Sequence, residues 1–386
     1  MKGGIFPDFH IPTEIYIKKN IIADIGKLIN NYGSKVVLVT TTTDFAKFSD
    51  TIESISKNIS NHDCGCIIYD EIPDKPDTEY VDSAVHFIKK TNCDTLIGFG
   101  GIESINVAKA ASLLTNNHLF CEDLFNYPKV IPPISLITIP THPIFGFEIL
   151  PMLYISEIRE MKKKCYSDKY LFPKATIIDS QIATATDDET TANSAISVLA
   201  LSTESVISKK TNELINTYAL KSMDLVFKNL LNAYREPQDP VHRKQLAIAS
   251  IMSGIAFGVT ELSVTLAISL ALSSIVDISV DKAMGLILPH VMEYNLTTSS
   301  GKYVQMSKIM DENIKDITVI EAAIKAVEGV RKLEIDVDIP QRLSQFDIPK
   351  SEMARVAEIA FSYPFIENAP RPLSRDEIET ILIAAY

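Results

Sequence analysis

The chain has 386 residues, of which 46% are hydrophobic and 22% are charged, and its formal net charge is −12. This length exceeds that of one typical compact domain, so we expect two domains, each with its own hydrophobic core. The acidic balance provides no basic surface to neutralise phosphates, which argues against nucleic acids and anionic membranes as partners. A small-molecule partner is consistent with this composition.

No membrane-spanning segment is predicted. The most apolar run, residues 262–276, is interrupted by serines and threonine, and it is shorter than the ~20 residues that a spanning helix needs. No positively charged and then apolar leader opens the chain, so we expect a cytoplasmic protein. The five cysteines are an odd number with only Cys64 and Cys66 close together, and we expect reduced thiols.

Short β-branched runs alternate with amphipathic stretches in the first half of the chain. The predicted strands are residues 35–40, 66–69, 95–99 and 135–139. Between them, residues 78–90 and 103–114 have apolar side chains at three- and four-residue spacing, which predicts helices. Strands and helices in alternation indicate a doubly wound parallel sheet, so we expect a Rossmann-like α/β domain over residues 1–183.

The second half of the chain lacks further strand patterns. The predicted helices are residues 190–209, 214–231, 241–256, 262–274 and 319–330. Residues 184–386 are therefore predicted to form an all-helical domain, with the boundary inside residues 173–188.

A glycine-containing segment carries a resemblance to a known family. Residues 98–109 read Gly-Phe-Gly-Gly-Ile-Glu-Ser-Ile-Asn-Val-Ala-Lys, which is similar to the phosphate loop of iron-dependent, group III alcohol dehydrogenases, Gly-Gly-Gly-Ser-x-x-Asp-x-x-Lys. Further segments resemble that family's motifs at residues 74–77, 139–141, 177–179, 254–257, 288–295, 368–372 and 385–386. The chain is identified as a divergent member of this family.

The resemblance implies a fold and an activity. The fold is a dehydroquinate synthase-like architecture, with a Rossmann-like domain followed by a helical one. The activity is NAD(P)-linked oxidation of a small alcohol or reduction of a small carbonyl at a metal ion. Relatives are commonly dimers through the sheet domain, so a homodimer is expected.

The chain departs from the family at the residues that would bind the metal. The family's motifs can be aligned with this chain at Glu204, Ala256-Phe257 and Leu288-Pro289. In this alignment the four metal-ligand positions are occupied by Ser197, Leu201, Leu266 and Val280. Leucine and valine have no lone pair, and serine offers only a neutral hydroxyl, whereas iron or zinc is held by imidazole and carboxylate. The sequence therefore predicts that no metal binds in the family's way.

The resemblance also implies a site for NAD or NADP. The matching cofactor-binding positions are Gly100, Gly101, Ser104, Lys109 and Thr141. Ile102 stands where the family has glycine, and Glu103 places a carboxylate where the pyrophosphate needs a free helix N-terminus. Alternatively, Glu103 is an ordinary acid in the first turn of a helix.

Other loop residues also predict weak cofactor binding. Phe145 and Phe147 would fill space that a dinucleotide uses, and Thr41 lies where the family often has an acid for the ribose hydroxyl. We therefore expect weak binding of NAD or NADP, if any.

Three residues are candidate catalytic groups. His142 lies on a loop that should face the cleft and could donate a proton, although a lone histidine there is also compatible with a structural hydrogen bond. Glu204 and Glu261 are expected on helices around the former metal site, where apolar surroundings would raise a carboxylate pKa. Glu204 also matches a family glutamate, which favours a structural role.

The remaining conspicuous side chains are assigned structural roles. Lys162, Lys163 and Lys164 are predicted at a solvated hairpin tip. Cys64 and Cys66 are predicted to be core residues of a strand, and His290 to be a packing residue.

Two functions remain open. The first is a metal-independent, NAD(P)-linked oxidoreductase on a small alcohol or carbonyl. The second is a non-catalytic pseudoenzyme that retains the fold for binding or assembly. Without the metal, a carbonyl would need another polarising group, and the sequence supplies no convincing one. A sugar-phosphate cyclase of related fold would need the missing metal as well.

Overall fold

The computed structural model describes residues 9–386, so the first residues of the chain, from which the absence of a leader was predicted, lie outside it. The strands of the described part are β1 Glu14–Ile17, β2 Lys35–Thr41, β3 Gly65–Ile72, β4 Thr95–Gly100, β5 Ser135–Pro140, β6 Met152–Glu157, β7 Lys162–Ser167 and β8 Ala175–Ile178. Six of them form one sheet in the order β1-β8-β5-β4-β2-β3. All of its neighbouring strands are parallel, which confirms the predicted doubly wound sheet.

Fifteen α-helices follow or connect these strands in the described part. They are α1 Ile25–Ile29, α2 Thr42–Ser60, α3 Thr78–Thr91, α4 Ile102–Asn116, α5 Cys121–Leu124, α6 Ser180–Ala183, α7 Asp188–Ile207, α8 Glu213–Arg235, α9 Pro240–Thr260, α10 Val264–Ile275, α11 Val280–Asn295, α12 Ser300–Ile309, α13 Val319–Asp336, α14 Met353–Phe361 and α15 Arg375–Ala384. From α6 onward no strand occurs. The α/β plus all-α class is therefore confirmed.

The sheet is buried on both faces because alternate residues of each strand point to opposite sides. On β2, Val37 and Val39 belong to one hydrophobic cluster, whereas Val36 and Leu38 belong to another. A strand that must fill two cores reads as a continuous apolar run, which is why residues 35–40 were recognisable in the sequence.

A third cluster fills the helical part and extends into the sheet part. Ile102 of α4 and Phe145 and Phe147 of the loop after β5 pack with residues of α7 to α11. The two phenylalanine rings contact each other with centroids 5.0 Å apart, and Phe147 stacks on Phe257 of α9. Aromatic residues on that loop therefore join the two halves of the chain.

The antiparallel hairpin of β6 and β7 differs from the sequence prediction. Its turn is formed by residues 158–161, and Lys162, Lys163 and Lys164 begin β7, so their assignment to a solvated tip was wrong. The Lys163 backbone N–H donates to Ser274 Oγ at 3.0 Å, and its carbonyl accepts from the Tyr363 hydroxyl at 2.5 Å. These contacts fix the hairpin to the helical part.

No single helix among residues 9–386 has both the length and the apolarity of a membrane span. The helices α9 and α10 reach that threshold only when taken together, and the chain bends by 99° between them.

Lys109 lies in the middle of α4 and is fully buried. Its Nζ donates to the carbonyl oxygens of Phe147, Leu150 and Met152 at 2.5, 2.6 and 2.8 Å. These bonds use all three N–H groups of an ammonium and fix the segment that connects β5 to β6. Burial lowers the pKa of Lys109 to about 7, although the nearby charge of Glu148 raises it in part.

Replacing Lys109 by methionine leaves three carbonyl oxygens without their donor. We expect Lys109→Met to lower the free energy of unfolding by about 3–5 kcal/mol, measured by urea denaturation. The matched control is Lys90→Met, at an exposed position of α3, which should change stability by less than about 0.5 kcal/mol. A loss below about 1 kcal/mol for Lys109→Met would contradict this role.

Candidate functional site

A cleft of about 310 Å³ opens at the edge of the sheet where the parallel strands end. One wall consists of the starts of α2 and α4 and the loop after β5, and the other of residues from α7 and α11. Ligands of open parallel sheets bind at this edge, outside the carboxyl ends of the strands. The cleft is therefore the candidate functional site.

The carboxylate of Asp44, in the first turn of α2, lies at the N-terminus of α4. Its Oδ2 accepts a hydrogen bond from the Gly101 backbone N–H and another from Ser104 Oγ, both at 3.0 Å. A helix N-terminus presents free N–H groups and a partial positive charge, so it favours one anion. Here that anion belongs to the protein itself.

The backbone around Gly100 is shaped by the same carboxylate. Gly100 has φ of 129°, and a Cβ built at this position would lie 2.0 Å from Asp44 Oδ2. Only glycine combines that backbone conformation with so close an approach. The glycine thus makes room for an internal carboxylate in this structure.

The structure exposes little of the cofactor-binding set that the resemblance implied. Of the five residues, Gly101 lines the cleft. Ser104, Lys109 and Thr141 are at most 1% exposed, and Ser104 Oγ also accepts from the Thr41 N–H at 3.0 Å. Their polar groups are engaged inside the protein and do not face the cleft.

His142 does line the cleft, as predicted for a candidate proton donor. Its Nδ1 lies 3.1 Å from Thr141 Oγ1, and burial lowers its pKa below the ordinary value. A Cβ built on Gly101 would lie 3.1 Å from the His142 ring. The imidazole therefore lies beside the start of α4, close to Asp44 and Glu103.

Glu103 projects into the cleft from the first turn of α4 and is partly exposed. Burial raises its pKa to about 7, and the nearby Asp281 adds to this rise while Lys163 opposes it. Both sequence interpretations thus hold in part, because Glu103 is a first-turn acid that also faces the cleft.

Glu103 should make stability depend on pH. Its pKa of about 7 in the folded protein lies above the ordinary 4.5, so its contribution is fully present below pH 4.5 and is lost as pH rises through 7. We expect the wild type to lose on the order of 1–2 kcal/mol relative to Glu103→Gln across this range, a value reduced by solvent screening.

Thermal denaturation of both proteins below and above this range measures the difference. Glu358→Gln, at an exposed position of α14, should follow the wild type at every pH. An unchanged difference between the wild type and Glu103→Gln across the range would contradict desolvation of this carboxylate.

The four positions that the resemblance assigns to the metal are buried. They are Ser197, Leu201, Leu266 and Val280. Ser197 Oγ is hydrogen-bonded to the carbonyl oxygens of Asn193 and Asp281 at 2.9 and 3.2 Å, and both leucines belong to the large hydrophobic cluster. Within residues 9–386 no three His, Cys, Asp or Glu side chains are arranged to hold a metal ion. These side chains do not fit the family's metal.

Glu204 has a structural position. Its carboxylate accepts from Ser263 Oγ at 2.6 Å and from the N–H groups of Val264 and Thr265 at 2.7 and 3.2 Å. It therefore caps the N-terminus of α10 from the neighbouring α7. Burial raises its pKa, but its acceptor atoms are engaged in this cap.

Glu261 and His290 do not line the cleft. The sequence expectation placed Glu261 in an apolar metal site, but its side chain is 63% exposed and pairs with Lys210 at 2.6 Å. This correction follows from its position at the exposed end of α9, where it ends the helix with φ of 46°. His290 is 9% exposed on α11, and burial lowers its pKa to about 4.

Sequence reasoning missed Asp44. The signal that could have revealed it is the Thr41-x-x-Asp44 spacing directly after β2, which is typical of a helix start. Because β2 and β4 are neighbours in the parallel sheet, the helices that follow them begin side by side. A carboxylate in one first turn can therefore reach the N-terminus of the other.

Comparison with known proteins defines the family. The model for the iron-containing alcohol dehydrogenases matches residues 12–180, and the model for the C-terminal part of the Fe-containing alcohol dehydrogenase family matches residues 191–386. The chain belongs to the iron-containing alcohol dehydrogenase family.

Individual relatives are distant but extend over nearly the full chain. The chain is 23% identical to the NAD-dependent methanol dehydrogenase of Bacillus methanolicus, over 97% of its own length and 98% of the relative's. It is 22% identical to the 1,3-propanediol dehydrogenase of Klebsiella pneumoniae, over 98% of both chains. The solved alcohol dehydrogenase from Oenococcus oeni superposes with a TM-score of 0.94 at 20% identity, over 99% of this chain and 100% of that one.

Proposed function

We propose that this chain is a non-catalytic member of the iron-containing alcohol dehydrogenase family, whose cleft serves binding and not metal- and dinucleotide-dependent oxidation. The observation that carries the proposal is the Asp44 carboxylate at the N-terminus of α4, bonded to the Gly101 N–H. A pyrophosphate would have to displace this carboxylate and would meet the carboxyl group of Glu103 beside it.

The surroundings of the cleft support the same conclusion. Lys109 matches the family's loop lysine, but its three N–H groups are donated to backbone carbonyls inside the fold. Phe145 and Phe147 are 2% and 0% exposed and pack between the two halves of the chain. Aliphatic groups at Leu201, Leu266 and Val280 provide no donor to a metal ion.

The rival function is a metal-independent, NAD(P)-linked oxidoreductase on a small alcohol or carbonyl. The observation in its favour is that His142 lines a cleft that remains open. Hydride transfer requires the nicotinamide cofactor, so cofactor binding discriminates between the two functions.

Titration calorimetry with NADH and NADPH tests the proposal. We expect dissociation constants of about 1 mM or weaker for the unmodified protein. The double variant Asp44→Asn with Glu103→Ser should bind roughly tenfold more tightly, because the helix N-terminus loses the charge of Asp44 and the carboxyl group of Glu103. Glu358→Gln is the control and should bind like the wild type. Micromolar binding by the unmodified protein would overturn the proposal in favour of the rival function.

Elemental analysis tests the metal part of the proposal. We expect no stoichiometric iron, zinc, nickel or cobalt in the purified protein, because three of the four ligand positions are aliphatic. The quadruple variant Ser197→Asp, Leu201→His, Leu266→His and Val280→His should gain zinc binding. In the absence of metal it should melt at lower temperature, since a buried unpaired imidazole costs on the order of 1–3 kcal/mol. About one metal ion per chain in the unmodified protein would contradict this assignment.

A further inference from the structure

The cleft carries negative charge that the protein leaves largely unpaired. Its acidic lining residues are Asp44, Asp74, Glu103, Glu189 and Asp281. Glu189 pairs with Lys282 at 2.5 Å, whereas the other four form no ion pair within residues 9–386. Among the described lining residues, Lys75 alone adds a permanent positive charge, and it pairs with the exposed Asp277.

Two further lysines near the cleft are also engaged. Lys47 pairs with Asp187 at 2.5 Å. Lys163 donates to the neutral Ser156 Oγ at 3.3 Å, and its charge lowers the pKa of Glu103, so it offsets one of the four carboxylates without an ion pair. The local charge balance therefore favours a cationic ligand over an anionic one.

A buried amide gives an independent indication of a ligand. Asn193 of α7 is 5% exposed and lines the cleft, and its side-chain amide makes no hydrogen bond within the part of the chain that the structure describes. The amide therefore faces the cleft without a partner from the protein. A ligand with a polar group in the cleft would provide that partner.

The arrangement of the carboxylates indicates what kind of cation fits. Asp44, Asp74 and Glu103 belong to the wall formed by the sheet part, whereas Glu189 and Asp281 belong to the helical wall. In the described residues no three acidic or histidine side chains converge as a metal site requires. A ligand with separate positive charges matches two separated groups of carboxylates better than a single metal ion does.

Part of the remaining lining is apolar. Ile102, Ile144, Phe145 and Val280 contribute hydrocarbon surface to the cleft. The cleft volume of about 310 Å³ lies at the lower end of the range for small-molecule sites. Alkyl segments between the ligand's charges would contact this surface.

We propose that the cleft binds an alkyl diamine or polyamine, with its ammonium groups held by carboxylates of both walls and by the Asn193 amide. The methylene segments lie against the apolar residues of the lining. The proposal rests on the proposed function in one respect, namely that no dinucleotide fills the cleft.

Titration calorimetry with putrescine, spermidine and butylamine tests the proposal on the full chain. We expect the diamine and the triamine to bind at least about tenfold more tightly than the monoamine, since a single charge engages one wall only. Glu103→Gln and Asp281→Asn, one from each wall, should each weaken spermidine binding about fivefold or more, and Asn193→Ala should weaken it about threefold.

Matched controls separate a site from general attraction. Glu358→Gln removes the same charge at an exposed position of α14 and should bind spermidine like the wild type. Thermal denaturation checks that each variant is folded, and if Asp281→Asn does not fold, Glu103→Gln and Asn193→Ala carry the test.

Each result has a distinct meaning. Absence of amine binding, equal affinity for mono- and diamine, or equal weakening by Glu358→Gln would overturn the amine proposal. Tight binding of zinc or magnesium that displaces spermidine would also overturn it. If neither NADH nor spermidine binds, the proposed function stands and the amine proposal falls, whereas tight NADH binding refutes the proposed function whatever the amines do.

Discussion

The site depends on one interaction, the hydrogen bond from the Gly101 N–H to the Asp44 carboxylate. Two parallel strands end side by side, so the helices after them begin side by side, and an acid in one first turn satisfies the free N–H of the other. Gly100 has the backbone conformation and the empty Cβ position that this carboxylate needs. An anion-binding helix end is thereby occupied from within.

The same principle recurs at a second helix. Glu204 caps the N-terminus of α10 as Asp44 caps that of α4, so carboxylates of the chain satisfy helix N-termini in both the sheet part and the helical part. Lys109 does the converse, since its ammonium satisfies three carbonyl oxygens of the segment after β5. The charged groups of Asp44, Glu204 and Lys109 thus stabilise the fold through contacts inside the chain.

The chain has its family's fold although it is only 20–23% identical to individual relatives. The fold requires buried strands, capped helix ends and a filled boundary between the sheet and the helices, and aliphatic or aromatic side chains meet the last need as well as metal ligands do. Function requires particular donor atoms in particular places. The fold is therefore compatible with aliphatic side chains at Leu201, Leu266 and Val280.

The sequence by itself determined the fold class and most of the helices and strands. Residues 35–40 and 95–99 are continuous apolar runs, as expected for strands that are buried on both faces. In the helices, apolar residues recur every three to four positions. It also determined that Leu201, Leu266 and Val280 lack donor atoms, since this follows from side-chain chemistry alone. The Thr41-x-x-Asp44 spacing indicates a helix start, but it could not reveal that the Asp44 carboxylate reaches the N-terminus of α4. Nor could the sequence reveal the exposure of Glu261 or that the Asn193 amide lacks a partner from the protein. These depend on which side chains distant segments bring together, and only the tertiary structure decides such contacts and the desolvation that accompanies them.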